Sequence, residues 1–125
     1  GYVIKLVYDK EIEITADETK ISQAFYNLLI NSINYTGSDK TVMVEQKTAD
    51  GRVRIEVADS GTGIAGEDLP YIWDRYYKVD KNHRRAVTGT GLGLSIVKSI
   101  IEMHGGECGV STGANGSVFW FSLKI

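Results

Sequence analysis

From Asp17 to Tyr35 the apolar residues Ile21, Ala24, Phe25, Leu28, Leu29 and Ile33 recur at spacings of three and four, which gathers them along one side of a helix. A helix with one apolar side must lay it on a core. The neighbouring segments have a different period. Thr41 to Lys47 and Arg52 to Ala58 alternate apolar and polar residues around Asp50-Gly51, both of which tolerate positive φ, and so predict an antiparallel hairpin. Val3 to Tyr8 and Glu11 to Thr15, flanking the turn candidate Asp9-Lys10, predict two more short strands from their β-branched and apolar content. A second helix is expected over Leu92 to His104, with Ile96, Val97, Ile100 and Ile101 as its buried stripe and Gly105-Gly106 as its stop. Glu107 to Ser111 and Ser117 to Ile125 close the chain as a hairpin around Asn115-Gly116. The first helix has a capping-box pattern at Thr15-Ala16-Asp17-Glu18, with Asp17 as a rival N-cap. One-sided helices over alternating strands make an α/β fold, a two-layer sandwich whose mixed, mostly antiparallel sheet carries its helices on one face.

Residues 1–125 form one domain, with no internal repeat or linker to divide them. Fourteen basic against sixteen acidic residues give a net charge of −2, so no nucleic-acid or anionic-membrane partner is announced. One cysteine, Cys108, cannot form an internal disulfide, and two histidines without a cysteine cluster do not make a zinc site. These features suit a reducing, cytoplasmic setting. No apolar run reaches the roughly 18 residues that span a bilayer. A chain that opens in strand-like residues without an initiator methionine reads as a domain excised from a longer parent.

The first helix has a second, polar stripe. Gln23, Asn27 and Asn31 recur at i, i+4 and i+8, and Asn34 follows. Asparagine forms helices poorly, because its side chain competes for backbone hydrogen bonds. Such a row is either a buried amide network or a set of neutral oxygen ligands for a hard cation such as Mg²⁺. Period two along Val53 to Asp59 puts Asp59 on the apolar side of its strand, at the C-terminal end. It is either a loop cap or a carboxylate aimed at a ligand's donors. Ser60 to Gly91 has little regularity beyond a short helix expected around Leu69 to Tyr76, and a connection of this length commonly serves as a lid. Between Asp74 and Thr88 it holds Arg75, Lys78, Lys81, Arg84 and Arg85 against Asp74 and Asp80. The basic stretch leads into Gly89, Gly91 and Gly93, at the mouth of the second helix, where backbone N–H groups and the helix dipole favour an anion. A helix-capping turn explains the glycines equally well. With the amide stripe and Asp59, the set suggests a nucleoside triphosphate.

Four blocks in order carry a resemblance to the catalytic, ATP-binding domain of the sensor histidine kinases, in the GHKL superfamily that also holds gyrase. QAFYNLLINSINYT (23–36) resembles its N box, DSGTGI (59–64) its first glycine box, YIWDRYYKVDK (71–81) its F box, and GTGLGL (89–94) its second glycine box. The resemblance implies that Asn31 coordinates Mg²⁺ with Asn27 assisting, and that Asp59 accepts from the adenine amino group, which disfavours guanine because it presents an acceptor there. It implies nucleotide contacts at Asn34, Tyr35, Gly61, Gly63, Ile64, Tyr77, Lys78, Arg84, Gly89, Thr90, Gly91, Leu92, Gly93 and Leu94. Gly61 and Gly63 would leave room beside the base, residues 66–90 would form the ATP lid, and the γ-phosphate would pass to a histidine.

Departures sharpen the reading. Asn34 stands where a lysine is common, so that either Lys78, or Arg84 and Arg85, meet the phosphates, or the affinity for ATP is lower. Trp73 replaces a phenylalanine and Ser32 an alanine. Asn27 occupies the place of the water-activating glutamate of hydrolytic relatives and is no base. His83 and His104 do not match an acceptor histidine, which is expected on a dimerisation domain ahead of residue 1. A response regulator would receive the phosphoryl group, and the parent would be a homodimer anchored in a bacterial membrane. The alternatives are a non-catalytic nucleotide sensor and an anti-sigma-factor-type serine kinase.

Overall fold

A computed structural model describes residues 2–74, 93–113 and 115–125. Strands β1 (Val3–Tyr8), β2 (Thr41–Ala49), β3 (Arg52–Asp59), β4 (Glu107–Gly113) and β5 (Gly116–Lys124) form one sheet in the order β1-β2-β3-β5-β4. β1 lies parallel to β2 and every other pairing is antiparallel. Helices α1 (Glu18–Tyr35) and α2 (Gly93–Met103) pack on each other and on the sheet, α1 over β2 and β3, α2 over β4 and β5. This is the expected two-layer α/β sandwich.

The core lies between the layers. Ala24 and Leu28 of α1 and Val97, Ile100 and Ile101 of α2 meet Val42, Val44, Val57, Phe119, Phe121 and Leu123 of the sheet. Ile21, Phe25, Leu29 and Ile33 are partly buried against the same cluster, so the apolar stripe faces inward as its spacing requires. Among the described residues no helix is long and apolar enough to cross a membrane.

Local signals determine several boundaries. Asp17 is the N-cap of α1, its carboxylate accepting from the Lys20 amide at 3.0 Å, so the rival cap prevails over the Thr15 box. Asp50 (φ 53°) and Gly51 (φ 74°) both take positive φ in the β2–β3 turn. α2 ends in a Schellman motif, with Gly105 at φ 73° and the amides of Gly106 and Gly105 bonding the carbonyls of Ile101 and Glu102. His104, expected merely to end that helix, also ties it to α1: its Nδ1 bonds the Ile100 carbonyl at 2.8 Å while its Nε2 accepts the Asp17 amide at 3.0 Å. That pairing requires the neutral ring protonated on Nδ1.

One expectation fails. Glu11 to Thr15 is not a strand. Its alternation is real, since Ile12 and Ile14 pack against the core, but the backbone joins no ladder. Asp9 turns the chain out of the sheet by accepting from the Thr48 amide and hydroxyl and from the Gln46 side chain. The short helix expected around Leu69 to Tyr76 begins where expected, as a 3-10 turn over Leu69–Tyr71 with Pro70 near its start, and residues 75 and 76 lie outside the described residues. It is anchored by Ile72 in the core and by Trp73, whose ring meets Phe119 edge-on at 5.9 Å.

Candidate functional site

Asp59 ends β3 at a corner where four elements converge. β2 begins beside it, with Val42 opposite Asp59 in the register. α1 ends there as well. Its C-cap Thr36 sends its hydroxyl to the Thr41 carbonyl at 2.7 Å and receives the Ser60 amide at 3.2 Å. The Ser60 hydroxyl in turn donates to Asp39 Oδ1 at 2.6 Å, which also accepts the Thr41 amide at 3.1 Å. Those two bonds, the Ser60 one first, hold the Asp39 carboxyl below the usual carboxylate range although it is exposed.

β5 completes the corner. A Cβ at Gly116 would lie 2.0 Å from the Asp59 carbonyl, and Gly116 adopts φ 131°, so the turn into β5 presses on the end of β3 because no side chain intervenes. The Ser117 amide consequently reaches Asp59 Oδ1 at 3.3 Å, and the Gly61 amide reaches the same oxygen at 2.9 Å. The carboxylate is thus oriented by two backbone donors, and Oδ2 is buried. Beside it, the Thr112 hydroxyl accepts the Ile64 amide at 2.8 Å and bonds the Ser117 hydroxyl at 2.9 Å. Thr112, Gly116 and Ser117 were not among the site candidates, because in the sequence they are ordinary hairpin residues.

The two glycines after Asp59 face protein. A Cβ at Gly61 would stand 2.0 Å from the Tyr35 carbonyl, and one at Gly63, with φ 85°, would stand 2.2 Å from the Gly113 carbonyl. They let the loop lie against the end of α1 and against β4. Ile64 and Leu94 likewise contribute side chains packed against the core.

Asn27 and Asn31, one turn apart on α1, are both half-buried, as are Asn34 and Tyr35 in the last turn, whereas Gln23 is exposed two turns earlier. An α-helix rises about 1.5 Å per residue. Asn31 therefore lies about 6 Å along the axis from Tyr35, whose carbonyl touches Gly61, while Gln23 lies about 12 Å further back. The stripe divides into a pair near the corner and an outlying glutamine. Among the described residues no three His, Cys, Asp or Glu side chains cluster as a metal cage. The half-buried amides suit Mg²⁺ only as a partial set completed by phosphate and water oxygens. At Gly93, the first residue of α2, a Cβ would meet no described atom within 4 Å. Tyr77, Lys78, Arg84, Arg85, Gly89, Thr90, Gly91 and Leu92, with most of the proposed lid, lie outside the described residues.

The family model "Histidine kinase-, DNA gyrase B-, and HSP90-like ATPase" matches residues 16–125. Sensor histidine kinase CusS of Escherichia coli K12 is 38% identical over 123 residues, covering 98% of this chain and 25% of that protein. The chain spans about a quarter or less of the length of the curated relatives it matches. Among solved structures, a nucleotide-free catalytic domain of histidine kinase ThkA superposes with TM-score 0.83 at 31% identity, over 98% of this chain and 80% of that one. Full-length ShkA in complex with AMPPNP superposes with TM-score 0.82 at 31% identity, over 98% of this chain and 25% of that one.

Proposed function

The chain belongs to the histidine kinase-, DNA gyrase B- and HSP90-like ATPase family, and on that premise we propose that it is the catalytic ATP-binding domain of a two-component sensor histidine kinase. It binds Mg-ATP and presents the γ-phosphate to a histidine on a dimerisation domain ahead of residue 1. The parent is a homodimer held in a bacterial membrane, this domain lies on the cytoplasmic side, and a response regulator receives the phosphoryl group. The sensor kinases among its relatives and the AMPPNP complex of ShkA support the reading.

The observation that carries it is the anchoring of Asp59. An ionised carboxylate only accepts hydrogen bonds. With Oδ1 occupied by the Gly61 and Ser117 amides, the group is held in one orientation before any ligand arrives. Adenine offers an amino group to such an acceptor. Guanine offers an oxygen in the same place and is repelled.

Asn31 and Asn27 supply amide oxygens toward the metal, and bound Mg²⁺ would neutralise phosphate charge and align the oxygens for transfer. Lys78, Arg84 and Arg85, from the lid at residues 66–90, meet the phosphates in place of the cation missing at Asn34. Backbone donors at Gly89, Gly91 and Gly93 lead the phosphates onto the N-terminus of α2. Asn34, Tyr35, Ile64, Tyr77, Thr90, Leu92 and Leu94 complete the walls. Titration calorimetry with ATP and GTP, with and without Mg²⁺, tests the reading: Mg²⁺-dependent ATP binding and much weaker GTP binding are expected, and equal affinities would remove the role of Asp59.

A further inference from the structure

The row of side chains on the helix side of β4 and β5 changes character at one end of the sheet. Cys108 stands opposite Phe121 and Val110 opposite Phe119, all packed in or against the core, and the next pair in that row is Thr112 and Ser117. Alternation alone asks for apolar residues there as well. Instead the Thr112 hydroxyl receives the Ile64 amide at 2.8 Å, and the two hydroxyls bond each other at 2.9 Å. A hydroxyl has two acceptor lone pairs and one proton, so Thr112 can serve both partners at once.

The bond to Ile64 spans 48 residues of sequence and depends on how closely the loop from Asp59 to Ile64 is laid on β4. A Cβ at Gly63 would stand 2.2 Å from the Gly113 carbonyl and 3.0 Å from the Thr112 hydroxyl oxygen. That approach brings the next amide within reach of a side chain as short as threonine's. On its other flank the loop is held by Ser60, whose amide donates to the Thr36 hydroxyl and whose own hydroxyl donates to Asp39. The Ile64 bond is therefore the pin on the hairpin side, just ahead of the segment assigned to the lid. Thr112 also reaches the start of the loop through one intermediary. Ser117, only 4% exposed, bonds Thr112 with its side chain and gives its amide to Asp59 Oδ1 at 3.3 Å.

We propose that Thr112 is a positioning residue for base recognition: its hydroxyl fixes both ends of the Asp59–Ile64 loop and so holds the Asp59 carboxylate in the orientation that accepts from adenine and repels guanine. The role rests on the nucleotide reading above. Thr112 acts through Ser117 and Ile64 and needs no contact with the ligand. A hydrogen bond to adenine requires the acceptor in one direction. Loosening the loop costs ATP that directed bond and lets the carboxylate turn away from a guanine oxygen, so the two affinities converge.

Thr112→Val keeps the branched shape and removes the hydroxyl, whereas Thr112→Ser keeps the hydroxyl and removes the methyl. Wild type and both variants are titrated with Mg-ATP and Mg-GTP, and the nucleotide-free chains are followed by hydrogen exchange and thermal denaturation. Thr112→Val should weaken ATP binding about fivefold or more and narrow the preference for ATP over GTP by a similar factor, while Thr112→Ser stays within about twofold of wild type. Exchange at residues 60–65 should quicken in Thr112→Val and not in Thr112→Ser. Unchanged selectivity in Thr112→Val, equal weakening toward both nucleotides, or equal losses in the two variants would overturn the inference and leave the nucleotide reading in place. Rapid exchange of the Ile64 amide in the folded wild type would overturn it without any variant. A wild-type chain that binds neither nucleotide would overturn the nucleotide reading, and the positioning role with it.

Discussion

The amide of Ser117 donates to Oδ1 of Asp59 at 3.3 Å across 58 residues of sequence, binding the start of the last strand to the carboxylate that ends the third. The contact exists because Gly116 lets the two strands approach at a separation no side chain would permit.

Asp59→Asn keeps a carbonyl oxygen for the Gly61 and Ser117 amides and replaces the other, buried oxygen by a donor, which would oppose the amino group of the proposed adenine. ATP binding should fall by about 1–3 kcal/mol or more, with the Tm of the nucleotide-free protein little changed. Calorimetric titration paired with thermal denaturation reads both. A folding defect with binding intact would make Asp59 a structural residue.

Two glycines separate scaffold from ligand contact. Gly61→Ala places a methyl 2.0 Å from the Tyr35 carbonyl and should cost about 1–3 kcal/mol of stability. Gly93→Ala meets no described atom within 4 Å and should leave Tm unchanged or raised while weakening ATP binding. Denaturation and binding curves on both variants check the contrast, and unimpaired binding by Gly93→Ala would remove that residue from the phosphate site.

The Ser32 hydroxyl is fully buried and has no hydrogen-bond partner among the described residues. Ser32→Ala relieves an unsatisfied polar group without enlarging the side chain, so urea denaturation should show a gain of about 1 kcal/mol. Loss of stability would reveal a bond made by this hydroxyl in solution.

Asp9 is held at a pKa of about 2, chiefly by the Thr48 hydroxyl, with the Gln46 side chain and the Thr48 amide adding to it. An unfolded aspartate titrates near 3.9. The folded value is the lower one, so its stabilisation is present above about pH 4 and is lost as pH falls toward about 2. Asp9→Asn should flatten the profile of Tm against pH in that window, leaving little difference from wild type at its acid end. Parallel profiles would mean that the Asp9 turn does not persist in solution.

With Mg-ATP, the chain alone should neither turn over nucleotide appreciably nor become phosphorylated on histidine. Asn27 is no base for water, and His104 has both ring nitrogens engaged. Adding the parent's dimerisation domain should produce transfer, followed with γ-labelled ATP on both polypeptides. Steady hydrolysis abolished by Asn31→Ala would assign a hydrolase instead. Label on a serine of the chain would indicate a serine kinase, and no transfer to the added domain would favour a nucleotide sensor.

Features written within a few residues of one another could be read directly. The apolar stripe of α1, the Asp50-Gly51 turn and the Gly105-Gly106 stop depend on helical or strand periodicity and on positive φ, which neighbouring residues dictate without reference to the rest of the chain. The two-layer arrangement followed, because one-sided segments must share a core. Contacts between distant segments could not be read. Alternation along Glu11 to Thr15 correctly turned Ile12 and Ile14 inward, yet it says nothing about which backbone, if any, the segment pairs with. Gly61 and Gly93 look alike in their motifs, but Gly61 is pressed on Tyr35 while a Cβ at Gly93 would meet nothing within 4 Å among the described residues, and the contact at Gly61 arises only when the end of α1 meets the end of β3. Ser117 and Thr112 entered the site for the same reason: packing brings the start of β5 and the end of β4 to the corner where Asp59 stands, and no local propensity encodes that approach.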